Sequence, residues 1–345
     1  MINGMKDQRK RWIDICKCVG IITVMLGHLS FSIPGGHMRI FYCFYMPMFF
    51  VLSGYFIKQE KLSVTLAGKS KRLLIPYVIY SCILIMVACI PYTKETSHEI
   101  VNWIIGIFYS RKCLYTYESE NNIVFMGKEQ GVLWFLTCMF IAYLLSQFCL
   151  KFRERYRWII LAVYLAAGMA LSLLPILLPW SLDMAFVASI LMIFGFYINK
   201  LNFEELSPVK LLVVILASCL LYIPLKRIDG ENNMSVRIFG QYGIISVINF
   251  CLLGFSGSLI CMSVAKLIER FKFTEIFAAV GRISLILFCT HRIIFKAAEY
   301  LIADYVHNKY VYTLINITAA IAFGFLLTYI FNKASRKVKL FSYLK

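Results

Sequence analysis

Long apolar runs recur along the whole chain and limit its possible folds more than any other feature. As helices, ten of them are long enough to cross about 30 Å of hydrocarbon; they cover residues 12–32, 38–57, 73–92, 131–150, 158–178, 183–199, 209–225, 241–264, 278–296 and 311–331. Inside a bilayer the backbone must satisfy its own hydrogen bonds, and runs of this length do so as helices. The sequence therefore predicts an all-α integral membrane protein, a single domain over residues 1–345 with about ten transmembrane helices in one bundle.

The distribution of charge predicts how this bundle is oriented. Only 16% of the residues are charged and 60% are hydrophobic, whereas about a quarter of a soluble domain is charged. If the N-terminus is cytoplasmic, 23 Lys and Arg residues lie in loops on that side and 11 on the other. This asymmetry follows the positive-inside rule and predicts that both termini are cytoplasmic. The net charge of +18 is thus a topology signal, and no nucleic-acid motif accompanies it.

The twelve cysteines do not indicate a metal site. Most of them lie within apolar runs, where Cys behaves as a small hydrophobic residue. Cys16 and Cys18 point to different sides of a helix, and no pair has the spacing of zinc ligands. We therefore expect no metal.

The first apolar run, WIDICKCVGIITVMLGHL, carries Asp14, Lys17 and His28. At about 100° per residue, Lys17 and His28 share one face of a helix, about 16 Å apart along its axis, and Asp14 lies one turn before Lys17. If Trp12 marks the inner interface, His28 lies beyond the midplane, where a polar group needs a partner or a water-filled cavity. Imidazole also suits general-base catalysis near neutral pH. An interfacial ion pair stays an equal interpretation for Asp14 and Lys17 alone.

The second and third runs add a small-residue patch and a basic cluster. Ser53 and Gly54 are typical of close helix packing. The cluster lies at the predicted start of the third helix, near Pro76, and consists of Lys69, Lys71 and Arg72. Such a cluster either anchors the inner interface or, at a helix N-terminus, binds phosphate.

Together these motifs resemble the acyltransferase-3 family of bacterial membrane acyltransferases, which includes O-antigen, exopolysaccharide and fucose O-acetyltransferases. The similarity covers nearly the whole chain in order. It is carried by a basic residue eleven positions before a histidine (Lys17 and His28), by MPMFFVLSGY at 46–55, KRLLIPY at 71–77, LWFL at 133–136 and GRISLILFCTH at 281–291. The chain departs from the family pattern at Tyr45, where many relatives have His, and at Phe288, where Tyr is usual.

The resemblance implies that an acyl group, usually acetyl, passes from cytoplasmic acetyl-CoA to a hydroxyl of a cell-surface or lipid-linked carbohydrate, at the bacterial cytoplasmic membrane. His28 is then the general base or a nucleophile that carries the acyl group, and Asp14 orients or neutralises Lys17. His291 either polarises the substrate or makes a structural hydrogen bond. The residues expected to bind the donor are Lys17, Lys69, Lys71 and Arg72, and those expected to line the substrate cavity are Tyr45, Ser53 and Trp134.

A transporter or flippase of glycan precursors is the alternative, because proton-coupled carriers also place ionisable residues within membrane helices. The sequence shows no internal repeat and no matching pair of broken helices, which disfavours that alternative. The segment from Thr93 to Gln130, with several tyrosines and carboxylates, is where we expect acceptor contacts. Within it, residues 100–109 predict a short interfacial or re-entrant helix.

Introduced cysteines test the predicted topology. In a variant without native cysteines, positions 60–70 and 335–344 should react with a membrane-impermeant maleimide only after the membrane is opened, because the Lys and Arg asymmetry places them inside. Positions 112–128 should react in intact cells. Labelling of 335–344 in intact cells would contradict the predicted orientation.

Overall fold

The computed structural model describes residues 9–29, 43–89, 97–111, 131–228, 232–240 and 243–344. These ranges contain helices and no β-strand, so the predicted all-α class is confirmed for them. The helices are α1 (Arg11–His28), α2 (Tyr45–Tyr55), α3 (Leu62–Lys69), α4 (Ile75–Cys89), α5 (Ser97–Tyr109), α6 (Trp134–Leu150), α7 (Glu154–Ser172), α8 (Leu182–Lys200), α9 (Pro208–Ile228), α10 (Ile244–Ile268), α11 (Thr274–Arg282), α12 (Ser284–Ile302) and α13 (Lys309–Ala334).

Six helices in the described ranges are long and apolar enough to cross a membrane: Leu62–Val87, Gly131–Leu150, Pro179–Lys200, Pro208–Ile228, Ile244–Ile268 and Lys309–Ala334. The pair α11 and α12, bent by 77° at its junction, makes a seventh if it is one span. A multi-pass membrane protein follows. The predicted number of ten is not confirmed, because α1 contains three charged residues, the described part of α2 has 11 residues, and α7 begins with Glu154 and two arginines. The sides of the termini stay a prediction.

The third span begins earlier than predicted, at Leu62 rather than at residue 73. Helix α3 continues into α4 through a π-helical turn over Ser70–Leu74, in which the Ile75 N–H donates to the carbonyl of Ser70. A wider turn of this kind accommodates Pro76, which has no N–H to donate. The basic cluster therefore lies inside a continuous helical segment. Our interpretation of it as a helix N-terminus is wrong, and only its side chains are available to bind an anion.

The short helix predicted at 100–109 is present as α5, which has 13 residues. Its interfacial or re-entrant position stays a prediction. Most of the segment from Thr93 to Gln130, where we expect acceptor contacts, lies outside the described residues.

Helix α1 is surrounded by other helices, and packs against α2, α10, α11, α12 and α13. Near its start Trp12 is buried, with its ring 5.3 Å from that of Tyr55 and 5.5 Å from that of Phe203. Trp12 therefore does not face lipid headgroups, and our use of it as an interface marker is wrong. Tryptophans mark an interface only where the fold leaves them on the lipid side.

Helices α2 and α8 cross with their backbones in close contact. A side chain on Gly54 would collide with the backbone of Met192, and one on Gly195 with the backbone of Val51. Small residues permit such an approach, which brings dispersion contacts between helices that gain little from the hydrophobic effect in lipid. The packing role predicted for the Ser53–Gly54 patch is confirmed at Gly54.

A buried charge cluster ties together three connections at the end of the bundle where α1 ends. The Asp183 carboxylate accepts hydrogen bonds from Arg111 and, at 2.9 Å, from Arg237. Arg111 also donates to the carbonyl of Ser235 at 2.8 Å, and Arg237 to that of Ile176 at 2.9 Å. The cluster fixes the end of α5, the approach to α8 and the segment at 232–240 to one another.

Removing the carboxylate of this cluster should destabilise the fold. Asp183→Asn leaves two buried guanidinium groups without their counter-ion, which typically costs about 3–5 kcal/mol. The control is Glu154→Ala, which removes a solvent-exposed partner 4.0 Å from Lys200 and should cost about 0–1 kcal/mol. Thermal unfolding of the two variants in detergent measures the difference. Equal midpoints would show that the buried cluster contributes no more than a surface ion pair.

Candidate active site

A cavity of about 290 Å³ lies between α1, α2, α6, α12 and the π-helical turn. Its polar lining includes Lys17, Ser53, Lys69 and Arg72, four of the residues that the sequence predicts for donor or substrate binding. The remaining described lining residues are largely apolar or aromatic: Phe49, Leu73, Phe135, Leu136, Met139, Tyr143, Ser284, Leu285 and Phe288. The cavity thus has a basic part and an apolar part. Its volume is at the lower end of the range that is usual for ligand cavities.

The electrostatics of the basic part favour an anion. Lys69 Nζ lies 3.5 Å from the centre of the Tyr143 ring, a cation–π contact that holds the ammonium at the cavity. Arg72 is exposed and pairs with no carboxylate among the described residues. No carboxylate is among the described lining residues, so three cations face one space without a lining counter-charge.

Asp14 lies beside the cavity rather than in it. Its carboxylate is almost completely buried and accepts two hydrogen bonds from Arg9, at 2.7 and 3.0 Å, while Lys17 Nζ is 3.9 Å away. About 21 Å of helix separates it from His28. Asp14 therefore compensates two cations and is too far from the histidines to exchange a proton with them directly.

His28 lies beside His291, with the two ring centres 5.2 Å apart. His28 is exposed at the end of α1, whereas His291 is fully buried in α12. The carbonyl of Leu287 lies 2.8 Å from Nδ1 of His291, and because a carbonyl only accepts, Nδ1 carries the proton. Nε2 is then the nitrogen with a lone pair in the neutral ring. It is buried without a hydrogen-bond partner in the described part of the chain.

Helix α1 meets α11 or α12 near each residue of its polar stripe. A side chain on Gly281 would collide with the backbone of Asp14, Lys17 shares the cavity with Phe288, and His28 meets His291. The prediction that Lys17 and His28 share one helix face is confirmed. The face is turned toward protein and cavity, which removes much of the cost of ionisable groups in lipid.

Phe288 connects the cavity with the histidine pair. Its ring lines the cavity, and its centre is 5.2 Å from that of Phe135 and 6.4 Å from that of His291. The basic part of the cavity and the histidine pair therefore lie on opposite sides of these aromatic rings.

The other predicted residues lie outside the described lining. Lys71 is exposed on the π-helical turn, Tyr45 is half-buried at the start of α2, and Trp134 is buried at the start of α6, 6.2 Å from Phe135 between ring centres. The roles proposed for them stay predictions. Within the described ranges, no three His, Cys, Asp or Glu side chains form a group that would hold a metal.

The sequence motifs did not single out Arg9, Phe135 and Tyr143, which belong to the site or to its immediate surroundings. Phe135 lies in the LWFL motif, so the sequence pattern could have indicated that it belongs to the site. Neither Arg9 nor Tyr143 belongs to a motif. Arg9 precedes α1 and pairs with Asp14 where the chain enters that helix, and Tyr143 meets the Lys69 ammonium only in the tertiary fold.

A family described as an acyltransferase domain matches residues 10–333, nearly the whole chain. Comparison with curated proteins and with solved structures gives no match.

Proposed function

The chain belongs to the acyltransferase-3 family and is by that membership a membrane acyltransferase, and from this premise we propose its reaction. It moves an acyl group, acetyl above all, from cytoplasmic acyl-CoA to a hydroxyl of a cell-surface or lipid-linked carbohydrate, in the bacterial cytoplasmic membrane. One observation carries the proposal: the basic cavity and the histidine pair meet at Phe288.

The basic part of the cavity fits a phosphate-bearing thioester. Lys17, Lys69 and Arg72 line the cavity, and cationic side chains bind phosphate oxygens through charge-assisted hydrogen bonds. Lys71, exposed beside them, adds positive charge to the approach. A cavity of about 290 Å³ holds only part of an acyl-CoA, so we place its thioester arm inside and its phosphates at the basic end.

When bound, the thioester supplies an activated acyl carbon, and the chain's own groups manage the proton. We assign His28 as the general base: its imidazole takes the proton of the acceptor hydroxyl as the oxygen bonds to the acyl carbon. The bond from carbon to sulfur then breaks, and the imidazolium returns the proton to the sulfur. Such help contributes about 10²–10⁴-fold in rate. An acyl-histidine intermediate is the variant of this route in which His28 attacks first.

His291 and Asp14 support these steps in different ways. In the tautomer fixed by Leu287, the free lone pair of His291 is on Nε2. This nitrogen is able to accept a hydrogen bond from a proton donor beside His28, whereas it has no proton with which to polarise a carbonyl. Asp14, paired with Arg9 and near Lys17, positions Lys17 at the cavity. We therefore give Asp14 a positioning role.

The acceptor approaches from the opposite end, where His28 is exposed. With the predicted orientation this is the outer face, so the donor and the acceptor enter from different sides. We place Ser53 on the donor side, because it lines the cavity, and Tyr45 and Trp134 toward the acceptor side, because each begins its helix at that end. The transporter alternative loses its support with the family assignment.

His28→Ala should lower kcat by about a hundredfold or more, the scale of general acid–base catalysis, while the protein still folds and inserts. The measurement is release of free thiol from acetyl-CoA by protein in vesicles that contain acceptor glycan, with mass spectrometry of the glycan product. His307→Ala is the matched control, since His307 is exposed in the connection before α13. A fully active His28→Ala protein would refute the catalytic role.

Arg72→Ala should raise KM for the donor about tenfold or more with little change in kcat, because a phosphate contact holds ground state and transition state alike. Arg155→Ala removes an equal charge from an exposed position at the start of α7 and should leave KM unchanged. Equal effects of the two variants on KM would reduce the basic cluster to a general source of positive charge.

A further inference from the structure

The cavity ends at a wall of aromatic rings. The ring centre of Phe135 is 5.2 Å from that of Phe288, 5.9 Å from that of Phe49 and 5.0 Å from that of Phe50. Three of these rings, Phe49, Phe135 and Phe288, line the cavity, whereas Phe50 lies behind them. Phe288 is 6.4 Å from His291 between ring centres, so the wall stands directly before the histidine pair.

We propose that Phe288, supported by Phe135, sets the length of the acyl group and restricts transfer to short chains of about two carbons. The inference rests on the proposed function, because it concerns the donor that enters the cavity from its basic end. It adds a specificity-determining residue to that reaction, in a part of the site that binds neither phosphate nor proton.

The order of residues along α12 supports this assignment. Ser284 and Leu285 line the cavity, Phe288 comes about 4.5 Å further along the helix axis, and His291 follows after the same rise. A thioester that reaches from the basic end toward the histidines therefore meets Phe288 last. Its carbonyl carbon has to lie near that ring, and whatever is attached beyond the carbonyl is confined by the rings of Phe288 and Phe135.

The two rings are not easily displaced. Phe288 and Phe135 are both more than nine-tenths buried, and Phe50 behind them is fully buried. Packed side chains resist added volume, because each extra methylene forces neighbouring rings out of their preferred rotamers. An acetyl group has one methyl group beyond the carbonyl. A hexanoyl group has a longer alkyl chain there, and its volume is comparable with that of a phenyl ring.

The expected selectivity is large. One methylene in a hydrophobic pocket changes discrimination by about 10–200-fold. Replacing Phe288 with Leu keeps the wall apolar and removes the outer part of the ring, so room for a longer acyl chain should open on the cavity side. The rate with a long donor relative to acetyl should rise accordingly.

The experiment compares initial rates of thiol release from acetyl-CoA, butyryl-CoA and hexanoyl-CoA by protein in glycan-containing vesicles. Phe288→Leu should raise the ratio of the hexanoyl rate to the acetyl rate by about tenfold or more. Phe135→Leu is a second variant with the same expected direction, which keeps the test decisive if Phe288→Leu fails to fold.

Two controls separate a specificity wall from ordinary core packing. Phe250→Leu removes a fully buried ring of α10 that packs on Phe239 and does not line the cavity, and it should leave the ratio unchanged. Phe288→Tyr retains the ring and should do the same. If Phe288→Leu and Phe135→Leu both use acetyl-CoA and both show the wild-type ratio of the hexanoyl rate to the acetyl rate, the inference is overturned while the proposed function stands. If the wild-type protein consumes no CoA thioester at all, the proposed function and this inference fall together.

Discussion

The close approach of α1 to α11 at Asp14, beside a buried charge pairing, is the interaction on which the rest of the site depends. A carboxylate that is almost completely buried requires compensation, and Arg9 supplies it with two hydrogen bonds while Lys17 stands 3.9 Å away. At the same point the backbone of α1 touches that of α11 at Gly281. Arg9 and Lys17 belong to the same segment as Asp14, so it is the backbone contact with α11 that fixes the rotation of α1 and turns its polar stripe toward α12.

That rotation places residues of α1 both at the cavity and at the histidine pair. At one end Lys17 lines the cavity with the cations of the π-helical turn, and at the other His28 meets His291. A helix is stiff over this length, so one contact near its start determines the side on which a residue about 21 Å further along lies. A single helix thereby fixes the position of Lys17 at the proposed donor site relative to the position of His28.

The aromatic rings between the cavity and the histidine pair have a double role. They belong to the buried core, since Phe135 packs against Phe49, Phe50 and Phe288, and they close the cavity before the histidines. Because packed rings have few alternative arrangements, a wall of this kind gives a definite shape to the end of the cavity. Stability and the proposed selectivity then depend on the same contacts.

The sequence by itself determined the all-α class, the membrane location of most helices and the family, because hydropathy, helical period and linear motifs need no knowledge of neighbours. It also determined that Lys17 and His28 share a face, since the helical repeat fixes that angle. Only the tertiary structure decided what the face meets, that Trp12 is buried, that the basic cluster lies in a π-helical turn inside a longer helix, and that Phe288 stands between the cavity and His291. These features depend on contacts between residues far apart in the chain, and packing between helices in a membrane is set by shape and polar pairing, which a hydropathy pattern does not record.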